Sequence, residues 1–229
     1  MRIATATARA HPWRIHEIAP DFTVEDVWAL PTHGDAHEFP SLVEVMRTLD
    51  FPDSSSLPAR ALWGVRDLLG RWFGLGRVVA PSDASAPAPA GHAQVPVPDD
   101  SLVERLPDDL RHTADHLAAG AAPFFPLYLI DDEYAAEISN RTVHALMHLA
   151  WVDAGDGRYR GQMAVYVKPR GRFGQAYMAS IKPFRYAIVY PALMRAIERA
   201  WNRRDVGIAQ VGDLTTSSSG ATARRSNTR

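Results

Sequence analysis

The sequence predicts an α+β fold: a curved antiparallel β-sheet packed on a long C-terminal helix, with two helices after the first strand. Three observations carry this. Apolar residues recur at a period of two between Phe124 and Lys168, with turn residues between the runs. They recur at helical spacing after Pro40 and again after Ser56. The stretch "GQAYMASIKPFRYAIVYPALMRAIERAW", residues 174–201, then reads as one apolar helix although it holds Pro183 and Pro191.

Taken in order, residues 1–10 are small and polar and are expected to fray. Val24–Pro31 mixes β-branched and aromatic residues and reads as a strand. Ser41–Leu49 places Leu42, Val45, Met46 and Leu49 on one helical stripe opened by Pro40 and Ser41. "SLPARALWGVRDLLGRWFG" repeats the pattern, with Leu62, Val65, Leu69 and Trp72 on one side and Arg60, Arg66 and Arg71 toward the other. Residues 77–100 are rich in Pro, Ala and Ser without a period and read as a long loop. One strand and two helices before it cannot close a core alone, so 11–205 reads as one domain. "SLVERLPDDLRHTADHLAAG" follows as short helical turns.

"FFPLYLIDDEYAAEISN" reads as a hairpin with Asp131–Glu133 at its tip, and residues 141–171 as a second, joined by Asp153–Arg158 with Asp-Gly as the turn signal. An interior proline lacks an N–H and crowds the carbonyl four residues back, so Pro191 would kink the helix and free the carbonyl of Ala187, while Pro183 either frees that of Ala179 or begins the helix proper after a separate turn. Such breaks let a helix follow a curved sheet. Residues 206–229 form a polar tail expected to be disordered.

Composition excludes several classes. With 25 basic against 26 acidic residues and a formal net charge of −1, nothing bids for nucleic acid. Zero cysteines rule out disulfides, thiolate metal sites and a cysteine nucleophile. The start of the sequence lacks the apolar run of a signal peptide, and a cytoplasmic protein is expected. The apolar C-terminal stretch would carry Lys182 and Arg185 near mid-membrane, each costing roughly 2.5–3.5 kcal/mol, so no membrane span is expected.

Strict alternation puts Val143, Ala145, Met147, Leu149 and Trp151 on one face of the second hairpin, with Met163, Val165 and Val167. This face is expected to meet the helix. His144 and His148, with Gln162, Ala164, Tyr166 and Lys168, are expected to face solvent; along a strand the two histidines lie about 13 Å apart, too far for one metal. His112 and His116 have helical i,i+4 spacing without the glutamate of a zinc-protease helix, and His33 and His37 straddle a turn. The acidic triplet Asp131–Asp132–Glu133 reads as a solvated tip. Neither "GRFGQA" nor "GLGR" has dinucleotide spacing, and no nucleophile elbow or phosphate loop occurs, so neither cofactor nor metal is expected.

At "PLYLIDDEYAAEISNRTVHALMHLAWV", "YRGQMAVYVKPRG" and "YMASIKPFRYAIVYPALMRAIERA" the chain resembles a bacterial domain-of-unknown-function family, number 2867, over roughly residues 11–204. That family is similar in architecture to the START-like, polyketide-cyclase-like (SRPBCC) helix-grip superfamily. The resemblance implies a cavity between sheet and C-terminal helix, and no catalytic residue.

With that cavity, the residues expected to line it are Met147, Leu149, Trp151, Met163, Val165, Tyr177, Ile181 and Phe184. The expected function is binding of a small apolar or aromatic molecule. An enzyme of cyclase or dehydratase type would need titratable groups, for which Glu137, Tyr128 and Tyr177 are the candidates. A structural or protein-interaction domain would fill the space with side chains. The sequence sets no oligomeric state.

Overall fold

Alternation along the strands builds one sheet of five antiparallel strands in the order β1-β5-β4-β3-β2. They are β1 (Thr23–Gly34), β2 (Phe125–Leu129), β3 (Glu133–Ser139), β4 (Val143–Gly155) and β5 (Arg158–Pro169). The computed structural model describes residues 1–49, 97–117, 124–140 and 142–204. The expected second helix of residues 57–73, most of the 77–100 loop and the 206–229 tail lie outside the described residues. The β4–β5 turn is tight because Asp156 and Gly157 both take positive φ, 56° and 72°, as a two-residue hairpin of matching twist requires.

One face of the sheet meets α3 (Phe39–Thr48) and the C-terminal helix, as expected. That helix runs as α-helix over Gly171–Phe184, widens into a π-helical turn at Arg185–Val189, and continues over 190–204. The π turn ends just before Pro191. A proline there cannot donate to the carbonyl of Ala187, and the wider turn relieves its ring against that carbonyl. Tyr190 N–H instead reaches back to the carbonyl of Arg185.

The apolar residues on this face fall into two clusters. One joins Leu30, Leu42, Leu149, Trp151 and Met163 to Tyr190, Leu193, Ile197 and Trp201; the other joins Val143 and Val167 to Met178. Gly174 pins the start of the helix to the sheet, since a Cβ there would stand 2.3 Å from the carbonyl oxygen of Thr142.

The opposite face overturns an expectation. His144, His148, Gln162, Ala164 and Tyr166 were expected in water, and all are buried. The N-terminal segment covers them with α1 (Thr5–Ala10) and α2 (Ile15–Ile18), together with the 3₁₀ turn at Leu102–Arg105 and Leu110. Trp13, Ile15, Ile18, Phe22, Leu102 and Leu106 pack there on Leu146, Ala150, Ala164 and Tyr166. The start of the chain is therefore held rather than frayed: Ala8 is buried, and Ile3 N–H bonds to the carbonyl of Val27 at 2.9 Å. The alternation holds, but the second face is covered.

Candidate functional site

Asp26 is the centre of polar structure on the helix face. In β1 it pairs with Val165, Trp28 pairs with Met163, and Val24 pairs with Tyr166. The register shift between Val24 and Asp26 makes Glu25 an extra residue, a bulge that sends Val24 to the covered face while Asp26 stays with Trp28 on the helix face.

The π turn brings three partners to this carboxylate, which is fully buried. Tyr190 donates its hydroxyl to Asp26 Oδ2 at 2.7 Å, and Tyr186 donates to Oδ1. Arg185 reaches Oδ2 at 3.1 Å and Glu25 at 2.9 Å, and Lys182 reaches Glu25 at 3.2 Å. Burial, and then the charge of Asp26, push the Tyr190 hydroxyl above the ordinary phenol range, so it stays a proton donor. Trp28 stands beside the pair, 4.6 Å from Tyr190 and 6.0 Å from Tyr186 between ring centres. The Nε1 of Trp28 and the Nε of Arg185 are buried without a hydrogen-bond partner.

Cross-strand neighbours of Asp26 lead inward: Asp26 pairs with Val165, and Val165 with Met147. β4 and β5 are interior strands, and Met147 and Val165 face the helix, yet both remain partly exposed. Ala145, Tyr177 and Ile181 are partly exposed as well. This is where the two apolar clusters of the helix face fail to join.

The eight expected lining residues divide accordingly. Met147, Val165, Tyr177 and Ile181 border the partly exposed zone, whereas Leu149, Trp151 and Met163 are buried in the larger cluster. Trp151 is committed further, donating to the carbonyl of Asp35 at 2.9 Å. Phe184 is 39% exposed. A separate cleft of ≈ 480 Å³, between the end of α3 and the C-terminal helix near Leu49 and Ala200, shares none of the eight.

A second polar cluster lies on the covered face. Glu133, expected at a solvated hairpin tip, is buried, and only Asp131 and Asp132 are exposed there. Its carboxylate accepts both of its bonds to the Arg14 N–H at 3.0 and 3.1 Å, the Tyr128 hydroxyl at 2.9 Å, and pairs with His148 Nε2 at 3.0 Å. Burial alone would raise its pKa, but His148, the Arg14 N–H and the Tyr128 hydroxyl more than offset this and hold the carboxyl below its usual range. Glu137, fully buried, pairs with His144 Nε2 at 2.8 Å and accepts from Ser101 and from the N–H of Leu102 at 3.1 Å. Two of the three candidates for enzyme chemistry, Glu137 and Tyr128, are thus spent on this face, away from the helix.

His112 and His116 do not share a helix: His112 takes a positive φ of 68° and pairs with Asp115 at 2.8 Å. Among the described residues no group of three or more His, Asp or Glu is arranged to hold a metal. None of their helices is long and apolar enough to cross a membrane.

The arrangement defines an α+β protein whose five-stranded antiparallel sheet carries a long C-terminal helix on one face, with a buried carboxylate joined to that helix. The chain belongs to the family described as "Protein of unknown function (DUF2867)", whose sequence profile matches residues 18–192. No curated protein matches the chain, and no solved structure does.

Proposed function

We propose that the chain binds a small, largely apolar molecule between the sheet and the C-terminal helix, as proteins of the START-like, polyketide-cyclase-like superfamily do. One observation carries this reading: Met147 and Val165, on interior strands and under the helix, are partly exposed while the clusters on either side are closed. A filled core would bury such positions first. Apolar walls with few polar groups suit an apolar ligand, and Asp26 with its tyrosines supplies the orienting polar end. The Asp26 oxygens are already engaged by two hydroxyls and a guanidinium, which favours recognition over proton transfer.

The test uses the fluorescent probe N-phenyl-1-naphthylamine with wild type and Met147→Trp. Wild type should take up the probe, and Met147→Trp should fold with little loss of stability and lose uptake. Two results oppose the reading: no uptake by wild type, or a Met147→Trp penalty of about 1–3 kcal/mol, the cost of overpacking a dense core.

A further inference from the structure

We propose that the Asp26 end of this pocket is a subsite for an organic cation, occupied in the free protein by the guanidinium of Arg2. The inference rests on the pocket proposed above and names the class of its ligand: a small amine with an apolar or aromatic body.

Two tyrosines meet the carboxylate through their hydroxyls and Trp28 stands against both, with Trp28 to Tyr190 at 4.6 Å, Tyr186 to Tyr190 at 5.7 Å and Trp28 to Tyr186 at 6.0 Å. Ring faces beside a desolvated carboxylate are the surroundings an ammonium or guanidinium group prefers. Three side-chain cations already lie near, and they are held very differently. Arg185 bridges Asp26 and Glu25 at 3.1 and 2.9 Å, and its side chain is only 14% exposed. Lys182 is tied to Glu25.

Arg2 has no such grip. Its guanidinium carbon lies 4.8 Å from the centre of the Tyr186 ring, its nearest nitrogen is 3.9 Å from Asp26, and its side chain is 52% exposed. That separation is too long for a hydrogen bond. Arg2 arrives through the bridge it forms with Trp28, at the outer edge of β1. It marks where a cation sits and is also the easiest of the three to displace.

The sheet sets the size of the guest. From Asp26 across Val165 to Met147 is two strand spacings, roughly 10 Å. A ligand with its amine at Tyr186 and Asp26 would lay its body on Val165 and Met147. Binding is an exchange in which Arg2 moves into water and the incoming ammonium takes its place over Tyr186.

The experiment is isothermal titration of 2-phenylethylamine and of the neutral 2-phenylethanol into wild type and Arg2→Ala at neutral pH. Arg2→Ala should bind the amine about tenfold more tightly than wild type does, the size of a cation–π contact on a partly desolvated ring, with the alcohol unchanged. Asp26→Asn should remove the preference for amine over alcohol; if that variant does not fold, the Arg2 comparison still decides. Amine affinity that is unchanged or weaker in Arg2→Ala, or no tighter than that of the alcohol, overturns the cation subsite and leaves the pocket standing on its alcohol binding. If neither compound binds either protein, the pocket reading falls and this inference with it.

Discussion

Tyr190 donates its hydroxyl to Asp26 across 2.7 Å, so the first strand and the last helix, 164 positions apart, meet at one buried charge. A hydrogen bond to a charged group contributes about 1.5–3 kcal/mol, and removing one partner leaves the other short of solvation. Tyr190→Phe should therefore destabilise the protein by about that much, read as a lower urea midpoint with unchanged slope. Tyr186, only partly buried, should cost less when changed to Phe. Equal and negligible effects would mean that Asp26 does not organise this face.

Gly161 tests the close approach of β1 to β5. A Cβ there would stand 2.4 Å from the Thr32 hydroxyl oxygen and 2.9 Å from a Leu42 methyl. The Thr32 hydroxyl also accepts the Gly161 N–H at 3.2 Å and is itself buried. Gly161→Ala should cost about 1–3 kcal/mol by overpacking, measured by thermal unfolding. Gly157→Ala should be strained for a different reason, its positive φ, because nothing stands within 4 Å of its Cβ.

The strands, the Asp-Gly turn and the helix-facing side were legible because period-two alternation and φ-demanding turns are local. The covered face was not, because two histidines and a lysine in alternation look like a wet surface. An imidazole bonded to a buried carboxylate tolerates burial, and Lys168 at the strand end stays exposed. A signal was nevertheless present. Glu133 and Glu137 are four apart on one strand, His144 and His148 four apart on the next, and an antiparallel hairpin matches them crosswise. Asp26 was missed for another reason: its partners Arg185, Tyr186 and Tyr190 are brought to it by a π turn, whose register no helical periodicity predicts.

The covered face also sets a pH dependence. Burial, and then the neighbouring His148, disfavour the charged imidazole of His16, which faces Tyr166 at 2.9 Å, and they outweigh the opposing pull of Glu133, so its pKa lies below the ordinary value. A base with a lowered folded pKa contributes stability that is present above about pH 6.5 and is lost as pH falls through the folded value. Glu133, also lowered, contributes stability present above about pH 4.3 and lost below it. Urea midpoints should fall in two stages on acidification. His16→Gln should flatten the first stage and leave the second.

The two carboxylates of β3 each hold a different covering segment. Glu133 takes the Arg14 N–H, and Glu137 takes Ser101 and the Leu102 N–H. Breaking a buried hydrogen-bonded charge network by removing one member costs about 3–5 kcal/mol. Glu133→Ala should reach that range, and its damage should be local. Hydrogen exchange should quicken over residues 11–22 and spare the C-terminal helix, which bonds to neither carboxylate. Glu137→Ala should instead quicken residues 101–106. His148→Leu, which leaves Glu133 its Arg14 and Tyr128 partners, should cost less, about 1–3 kcal/mol, where a surface histidine would have cost nothing. Uniform loosening of both segments by either glutamate change would show that the cover is held by apolar packing on Leu146 and Tyr166 and that the carboxylates are incidental.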